Sequence, residues 1–189
     1  MSDESAAGGI PFSREAEEGV LGALLCDPGA YLDDALKTLR DDHFYTTDTR
    51  TMFTELRAMA DASKVIEPVN VVTWLRERGH LDRVGGPSKV SEMFTRFCVP
   101  LSFRQWCETL TDRLARRTIL AASEDMRMMA LDPLRSWKEA MQAGDAEMSL
   151  LQVLEQSGQA VSMAQVMNEV VDDLELAMRN KGRIRGICT

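Results

Sequence analysis

The sequence predicts an all-α protein. Apolar residues recur at helical spacing in one segment after another, no β-alternation of comparable length appears, and residues 103–130 contain neither proline nor glycine. The expected architecture is a compact helical N-terminal domain followed by a long αα-hairpin and an amphipathic linker helix. The leader, residues 1–10, is acidic and lacks an apolar signal core, so it reads as disordered and argues against secretion.

Each element of the first domain, residues 11–102, has a local reason. Ser13 can cap a first helix, with Glu15, Glu17 and Glu18 near its positive end and Ala16, Val20, Leu21, Leu24 and Leu25 as its apolar face. Asp27-Pro28-Gly29 ends it. Tyr31, Leu32, Ala35, Leu36 and Leu39 repeat at helical spacing, and Asp48 is then placed to cap a third helix carrying Met52, Phe53, Leu56 and Met59. Pro68 fits the first position of a fourth helix through Val71, Val72, Trp74 and Leu75, closed by Arg78-Gly79-His80. Gly85-Gly86-Pro87 breaks the chain again, and Val90, Met93, Phe94 and Phe97 mark a short fifth helix.

The hairpin is expected over residues 103–155. Its first arm, from Phe103 to Ala130, would be roughly 40 Å long and carries Trp106, Leu110, Leu114, Ile119 and Met126. Asp132-Pro133 forces the turn. The return arm, from Trp137 to Leu154, carries Ala140, Met141, Leu150, Leu151 and Leu154, with an interruption expected at Gly144-Asp145. Two arms alone cannot bury all of these positions, so Leu110, Leu114, Ile119, Met126, Met129 and Trp137 are candidates for an oligomer interface. Met126, Met128 and Met129 suit an adaptable interface and ordinary hairpin packing equally. Trp106 and Trp137 read as core or hairpin anchors.

Residues 156–161 form a hinge around Gln156-Ser157-Gly158-Gln159, and the linker helix is expected at 162–182. Ser162-Met163-Ala164-Gln165 fits a capping box. Met163, Val166, Met167, Val170, Val171 and Leu174 line one face, while Arg179 and Lys181 suit the negative end. That face has nothing left in cis to cover it, which implies a surface supplied by another domain or subunit.

Composition excludes several classes of function. A net charge of −8 and a pI near 4.9 disfavour a non-specific nucleic-acid binder, whose affinity comes from neutralising phosphates. No apolar run is long enough to span a bilayer, so the expected location is the cytoplasm. Cys26, Cys98, Cys107 and Cys188 are scattered and only His43 and His80 could join them, so no metal site is expected. Gly85-Gly86-Pro87-Ser88-Lys89 lacks the spacing of a phosphate loop, and the doublets Asp33-Asp34, Asp41-Asp42 and Asp172-Asp173 point apart on a helix. No catalytic or cofactor-binding residue is assigned. Arg113, Arg116, Arg117, Arg127 and Arg135 lie among acids and read as a salt-bridged face or subunit contact rather than a DNA groove.

A family resemblance runs through nearly the whole chain. Arg14-Glu15-Ala16-Glu17-Glu18-Gly19-Val20-Leu21-Gly22-Ala23-Leu24-Leu25 with Asp27-Pro28 is similar to the opening helix of DnaB-type replicative helicase N-terminal domains. Leu39 and Phe44-Tyr45 follow in the family's order, then Val65-Ile66-Glu67-Pro68-Val69, Arg78-Gly79-His80-Leu81 with Val84-Gly85-Gly86, Pro100 and Ser102, and Arg116-Arg117. Gly186-Ile187-Cys188-Thr189 resembles the Gly-Ile-Pro-Thr that opens the ATPase domain, so residues 183–189 read as its start. Departures are Phe97-Cys98-Val99 in place of more polar residues, Trp106 for a common tyrosine, and Cys188 for proline.

The resemblance implies a collar and docking region of a 5′ to 3′ DNA helicase, not itself an enzyme. ATP and Mg would belong only to the ATPase domain, and the linker helix would dock on the ATPase domain of a neighbouring subunit. The implied partners are the chain itself, as a dimer or trimer of dimers, and primase or a helicase loader, with little direct DNA binding. Two rivals come from other classes: a stand-alone adaptor or inhibitor of a replicative helicase, and a direct DNA-binding helical module.

Overall fold

The computed structural model describes residues 9–97, 102–145 and 149. Seven helices and one 3-10 turn are laid out in chain order: α1 Arg14–Cys26, α2 Pro28–Thr38, the 3-10 turn Asp41–His43, α3 Thr47–Asp61, α4 Pro68–Glu77, α5 Leu81–Val84, α6 Gly86–Arg96 and α7 Phe103–Leu131. Residues 137–145 form a further helical stretch. No strand occurs among the described residues. The hinge at 156–161, the linker helix with Met163, Val166, Met167, Val170, Val171 and Leu174, residues 183–189, and Leu150, Leu151 and Leu154 of the return arm lie outside the described residues.

Helix α1 is the centre of the fold. The Ser13 hydroxyl accepts a hydrogen bond from the Ala16 amide at 3.3 Å, the cap expected from sequence. From Ala16 to Leu25 every residue is buried, because α2, α3, α6 and α7 all pack on it. Two of these approaches depend on glycine. A Cβ on Gly19 would sit 2.6–2.8 Å from the Trp106 ring of α7, and one on Gly22 would meet the Met93 carbonyl oxygen at 2.7 Å and Phe97 Cβ at 2.6 Å. Trp106 also meets Phe97 edge-on, with ring centroids 5.4 Å apart.

The remaining joints follow local chemistry. Asp27 closes α1 and also caps α2, accepting from the Ala30 amide at 3.0 Å, with Pro28 in the first turn. Pro68 starts α4 as expected, and Gly79 reverses the chain at a φ of 72°. Two details differ from the sequence reading. The four-residue α5 is too short to show a hydrophobic period and goes unread. It ends on Gly85 in the left-handed region, at a φ of 100°, and that same residue precedes α6.

The third helix begins at Thr47, so Asp48 lies inside its first turn rather than capping it. The start is satisfied from elsewhere in the chain. The Glu17 carboxylate of α1 accepts from the Tyr45 amide at 2.8 Å, the Thr46 amide at 3.4 Å and the hydroxyls of Thr46 and Thr49. A buried anion at a helix N-terminus meets both unpaired amides and the positive end of the helix dipole. Asp48 instead pairs with Arg14 at 2.6 Å. Against the cost of burial, hydrogen bonding by Thr46 and the Arg14 guanidinium hold its carboxyl below the usual range.

The close approach at Gly22 sets opposing tendencies for a single methyl group. Alanine is preferred over glycine inside a helix by about 1 kcal/mol, while forcing a methyl against backbone costs about 1–3 kcal/mol. The added Cβ meets a carbonyl oxygen that cannot rotate away, so the clash dominates. Gly22→Ala is expected to lower the urea midpoint of unfolding; a variant as stable as the parent, or more so, would show that α6 can retreat from α1.

Candidate interaction surface

Helix α7 has two halves with different surroundings. Its first half belongs to the core: Phe103, Cys107 and Leu110 are buried with residues of α1, α2 and α3 in one cluster. Burial pushes the Cys107 thiol up to about 12, which leaves it a space-filling group without thiolate chemistry. Leu110, expected at an oligomer interface, has no exposed surface at all and is a core residue. Leu114 is half-buried.

Arg117 marks the junction between the halves. Its guanidinium donates to the Pro11 carbonyl at 3.0 Å, the Asp42 carbonyl at 2.6 Å and the His43 carbonyl at 3.3 Å, and lies 5.5 Å from the centroid of the Tyr45 ring. Burial lowers its pKa from the ordinary arginine value. The side chain therefore ties α7 to the 3-10 turn and to the segment before α1. It is engaged as a clamp rather than offered to a phosphate.

The other cluster arginines are paired along their own helix or turn. Arg116 and Arg113 meet Asp112 at 2.8 and 3.2 Å, Arg127 meets Glu124 at 2.7 Å, and Arg135 meets Asp132 at 3.5 Å. Such exposed pairs add little stability. They do blunt the local positive field, as the interleaved acids in the sequence suggested.

Beyond Arg117 the apolar residues turn outward. Ile119 is 41% exposed and Leu131 67%, with Leu120 and Met128 also exposed. At the turn Leu134 is 93% exposed, and on the return stretch Trp137 is 68% exposed and Met141 is open as well. Met126 and Met129 are half-buried. Of the predicted interface set, Ile119 and Trp137 are thus exposed, Leu114, Met126 and Met129 are half-buried, and Leu110 is buried in the core.

The return stretch closes onto α7 through small residues. Residues 137–145 are continuously helical, so Gly144-Asp145 is no interruption. Gly144 lies against the Met126 side chain, where a Cβ would collide with the sulfur. Ala122 and Ala140 are likewise closed to solvent. Glycine here provides proximity between two helices, not a break in one.

Sequence reasoning missed the buried polar groups that hold this platform in place. Besides Glu17, Glu18 of α1 is buried and pairs with Lys89 at 2.8 Å and Arg14 at 2.9 Å. Glu55 of α3 is buried and accepts from Trp74 Nε1 at 2.7 Å, with Arg78 Nε at 2.9 Å and His80 Nδ1 at 2.7 Å. The signal was present for α1: Gly19 to Leu25 offer no polar face, so a helix buried all round must bury its acids too. Among the described residues no group of three or more His, Cys, Asp or Glu could hold a metal ion. No helix among them is long and apolar enough to cross a membrane.

His43 gives this junction a pH dependence. Its Nδ1 accepts from the Arg40 amide at 3.0 Å, and burial, with Arg117 and Arg40 nearby, lowers its pKa to about 4 from an ordinary value of 6.5. The folded state therefore favours the neutral ring. Its stabilising contribution is complete above pH 6.5 and is lost as pH falls toward 4, by at most about 1.4 kcal/mol per pH unit. Urea unfolding between pH 5 and 6.5 should show a steeper decline for the parent than for His43→Asn, which keeps an acceptor for the Arg40 amide. Parallel declines would assign the acid sensitivity to other groups.

Known proteins resemble this chain in sequence and in fold. Residues 10–112 match the family described as the DnaB-like helicase N terminal domain. The replicative DNA helicase DnaB of Rhodothermus marinus is 27% identical over 180 residues, covering 94% of this chain and 19% of the relative. That of Geobacillus stearothermophilus is 22% identical over 179 residues, covering 95% of this chain and 39% of the relative. The chain thus spans well under half the length of these helicases. The crystal structure of the N-terminal domain of DnaB helicase from Mycobacterium tuberculosis superposes with a TM-score of 0.67 at 19% identity, covering 74% of this chain and 97% of that one. A structure of a DnaB-like replicative helicase, reported with its interactions with primase, superposes at 0.58 and 17% identity, covering 75% and 31%.

Proposed function

The chain belongs to the family of DnaB-like helicase N-terminal domains, and from that premise we propose that it is the assembly and partner-docking collar of a replicative 5′ to 3′ DNA helicase. The observation that carries this reading is the open apolar face of the hairpin. Ile119, Leu120, Met128, Leu131, Trp137 and Met141 are exposed together on α7 and the return stretch, and no described residue covers them. So many exposed large apolar side chains on one segment are a liability for a monomer and an asset for an assembly.

On this reading a second copy covers the face, and pairs of copies build a ring as a trimer of dimers. The collar then receives primase or a loader. The segment from Met163 to Leu174 would dock on the ATPase domain of a neighbouring subunit, where ATP and Mg would act. The 189 residues contain no Gly-x-x-x-x-Gly-Lys-Ser/Thr phosphate loop, so the chemistry of unwinding is assigned elsewhere. Direct DNA binding is expected to be weak, since the cluster arginines are clamped or paired and the net charge is −8.

Light scattering after gel filtration tests the carrying observation. The parent chain should form dimers or larger species at micromolar concentration, and Ile119→Asp or Leu131→Asp should shift it toward monomer. Because both side chains are exposed, each variant should keep its folding stability within about 0.5 kcal/mol when compared as monomer. A parent chain that stays monomeric at high concentration, or variants that assemble unchanged, would remove the basis of the proposal. Titration with cognate primase beside labelled single-stranded DNA tests the docking half: a protein complex with weak DNA binding is expected. Tight DNA binding with no primase complex would favour the helical DNA-binding module, and inhibition of a cognate helicase by the added chain would favour the adaptor.

A further inference from the structure

Methionine is concentrated in the hairpin. Four of the chain's 12 methionines, Met126, Met128, Met129 and Met141, fall within residues 126–141. In the compact domain Met52, Met59 and Met93 are core side chains, at most 1% exposed. Met128 is 56% exposed and Met141 53%, and these are the only exposed methionines among the described residues. Both stand on the segment that also leaves Ile119, Leu131 and Trp137 open.

A thioether differs from the leucines beside it in one reaction. With a peroxide the sulfur lone pair forms an S–O bond, the O–O bond breaks, and the departing hydroxide takes the remaining hydroxyl proton to leave as water. The sulfur is oxidised by two electrons and the peroxide reduced by two. The sulfoxide is polar, and dedicated reductases return it to the thioether. The surroundings sort the candidate sulfurs. That of Met126 packs against Gly144, under the return stretch. The Met128 sulfur accepts from the Arg127 guanidinium at 3.6 Å, and a sulfoxide oxygen is a stronger acceptor for the same donor. Two thiols of the compact domain compete poorly for oxidant: Cys107 is buried with its thiol pushed up to about 12, and Cys26 donates to the Phe94 carbonyl at 3.4 Å.

We propose that Met128 and Met141 are sites of reversible oxidation by peroxides, and that their sulfoxides weaken self-association through the hairpin. The inference rests on the reading of the hairpin as the surface that a second copy covers. Covering a thioether removes apolar area from water, whereas covering a sulfoxide strips water from a strong dipole. Oxidised copies therefore favour the uncovered state, and reduction returns them to the assembly.

Peroxide treatment of the full chain tests it. Hydrogen peroxide is applied to dilute protein and quenched with catalase, and dithiothreitol then reduces any disulfide while leaving sulfoxides in place. Peptide mapping by mass spectrometry should show Met128 and Met141 oxidised about tenfold or more faster than Met52, Met59 and Met93. Light scattering should show the dissociation constant of the assembly raised about tenfold or more. Methionine sulfoxide reductases should restore it, with circular dichroism unchanged throughout. Met128→Leu/Met141→Leu removes both thioethers, so its dissociation constant, compared with its own value before treatment, should move less than about twofold. That comparison also removes the contribution of methionines elsewhere in the chain. Assembly unchanged with both sites fully oxidised, no recovery after reduction, loss of helicity on oxidation, or a double variant as sensitive as the parent would overturn the proposal. The failures are distinguishable. An untreated parent that stays monomeric removes the collar reading and the switch with it, whereas an assembled parent indifferent to oxidation removes the switch alone.

Discussion

The close contact of α6 and α7 with α1 is the constraint on which the rest of the structure depends. Helices usually pack 8–10 Å apart, with side chains filling the gap. At Gly22 the gap is filled by backbone, the Met93 carbonyl and Phe97, and at Gly19 by the flat indole of Trp106. This fixes α7 against the middle of α1, and the 29 residues of α7 then carry its far end well beyond the compact domain. The hairpin projects because α7 is long; it projects in a defined direction because α1 has no side chain at two positions.

Burying α1 on all sides has an electrostatic consequence, and the fold turns that consequence into cross-links. Glu17 and Glu18 cannot reach bulk water, and an unpaired buried carboxylate costs several kcal/mol. Each is therefore matched: Glu17 to the start of α3, Glu18 to Lys89 of α6 and Arg14. Glu55 repeats the device by gathering Trp74, Arg78 and His80, which joins α3 to the end of α4 and the turn behind it. Arg117 completes the set from α7 by closing on carbonyls of residues 11, 42 and 43. These contacts are directional where apolar packing is not, so they fix the register between helices that hydrophobic burial alone would let slide.

Much of the fold was legible in the sequence because helical period, proline and glycine punctuation act locally. The caps at Ser13 and Pro68, the closure at Arg78-Gly79, the uninterrupted α7 and the turn at Asp132-Pro133 all have causes within a few residues. The errors have non-local causes. Asp48 looked like a cap because nothing nearby reveals that Glu17, 28 to 32 residues away in the sequence from the groups it accepts from, supplies the anion. Gly144 looked like a break because its real partner, Met126, belongs to another arm. Leu110 and Ile119 share one helix and one residue class, yet one is core and the other surface, and only the position where α7 leaves α1 decides between them.

That same point of departure explains how one short chain keeps large apolar side chains exposed beside a closed core. The hairpin face begins only after the Arg117 clamp, where α7 has already been tied to the 3-10 turn. The inner faces of α4 and α6 are by contrast committed to the core: Val71 and Leu75 are buried on α4, and on α6 Met93 is buried with its carbonyl against Gly22 of α1. The apolar side chains left exposed beyond Arg117 are what a second copy would cover on the proposed reading.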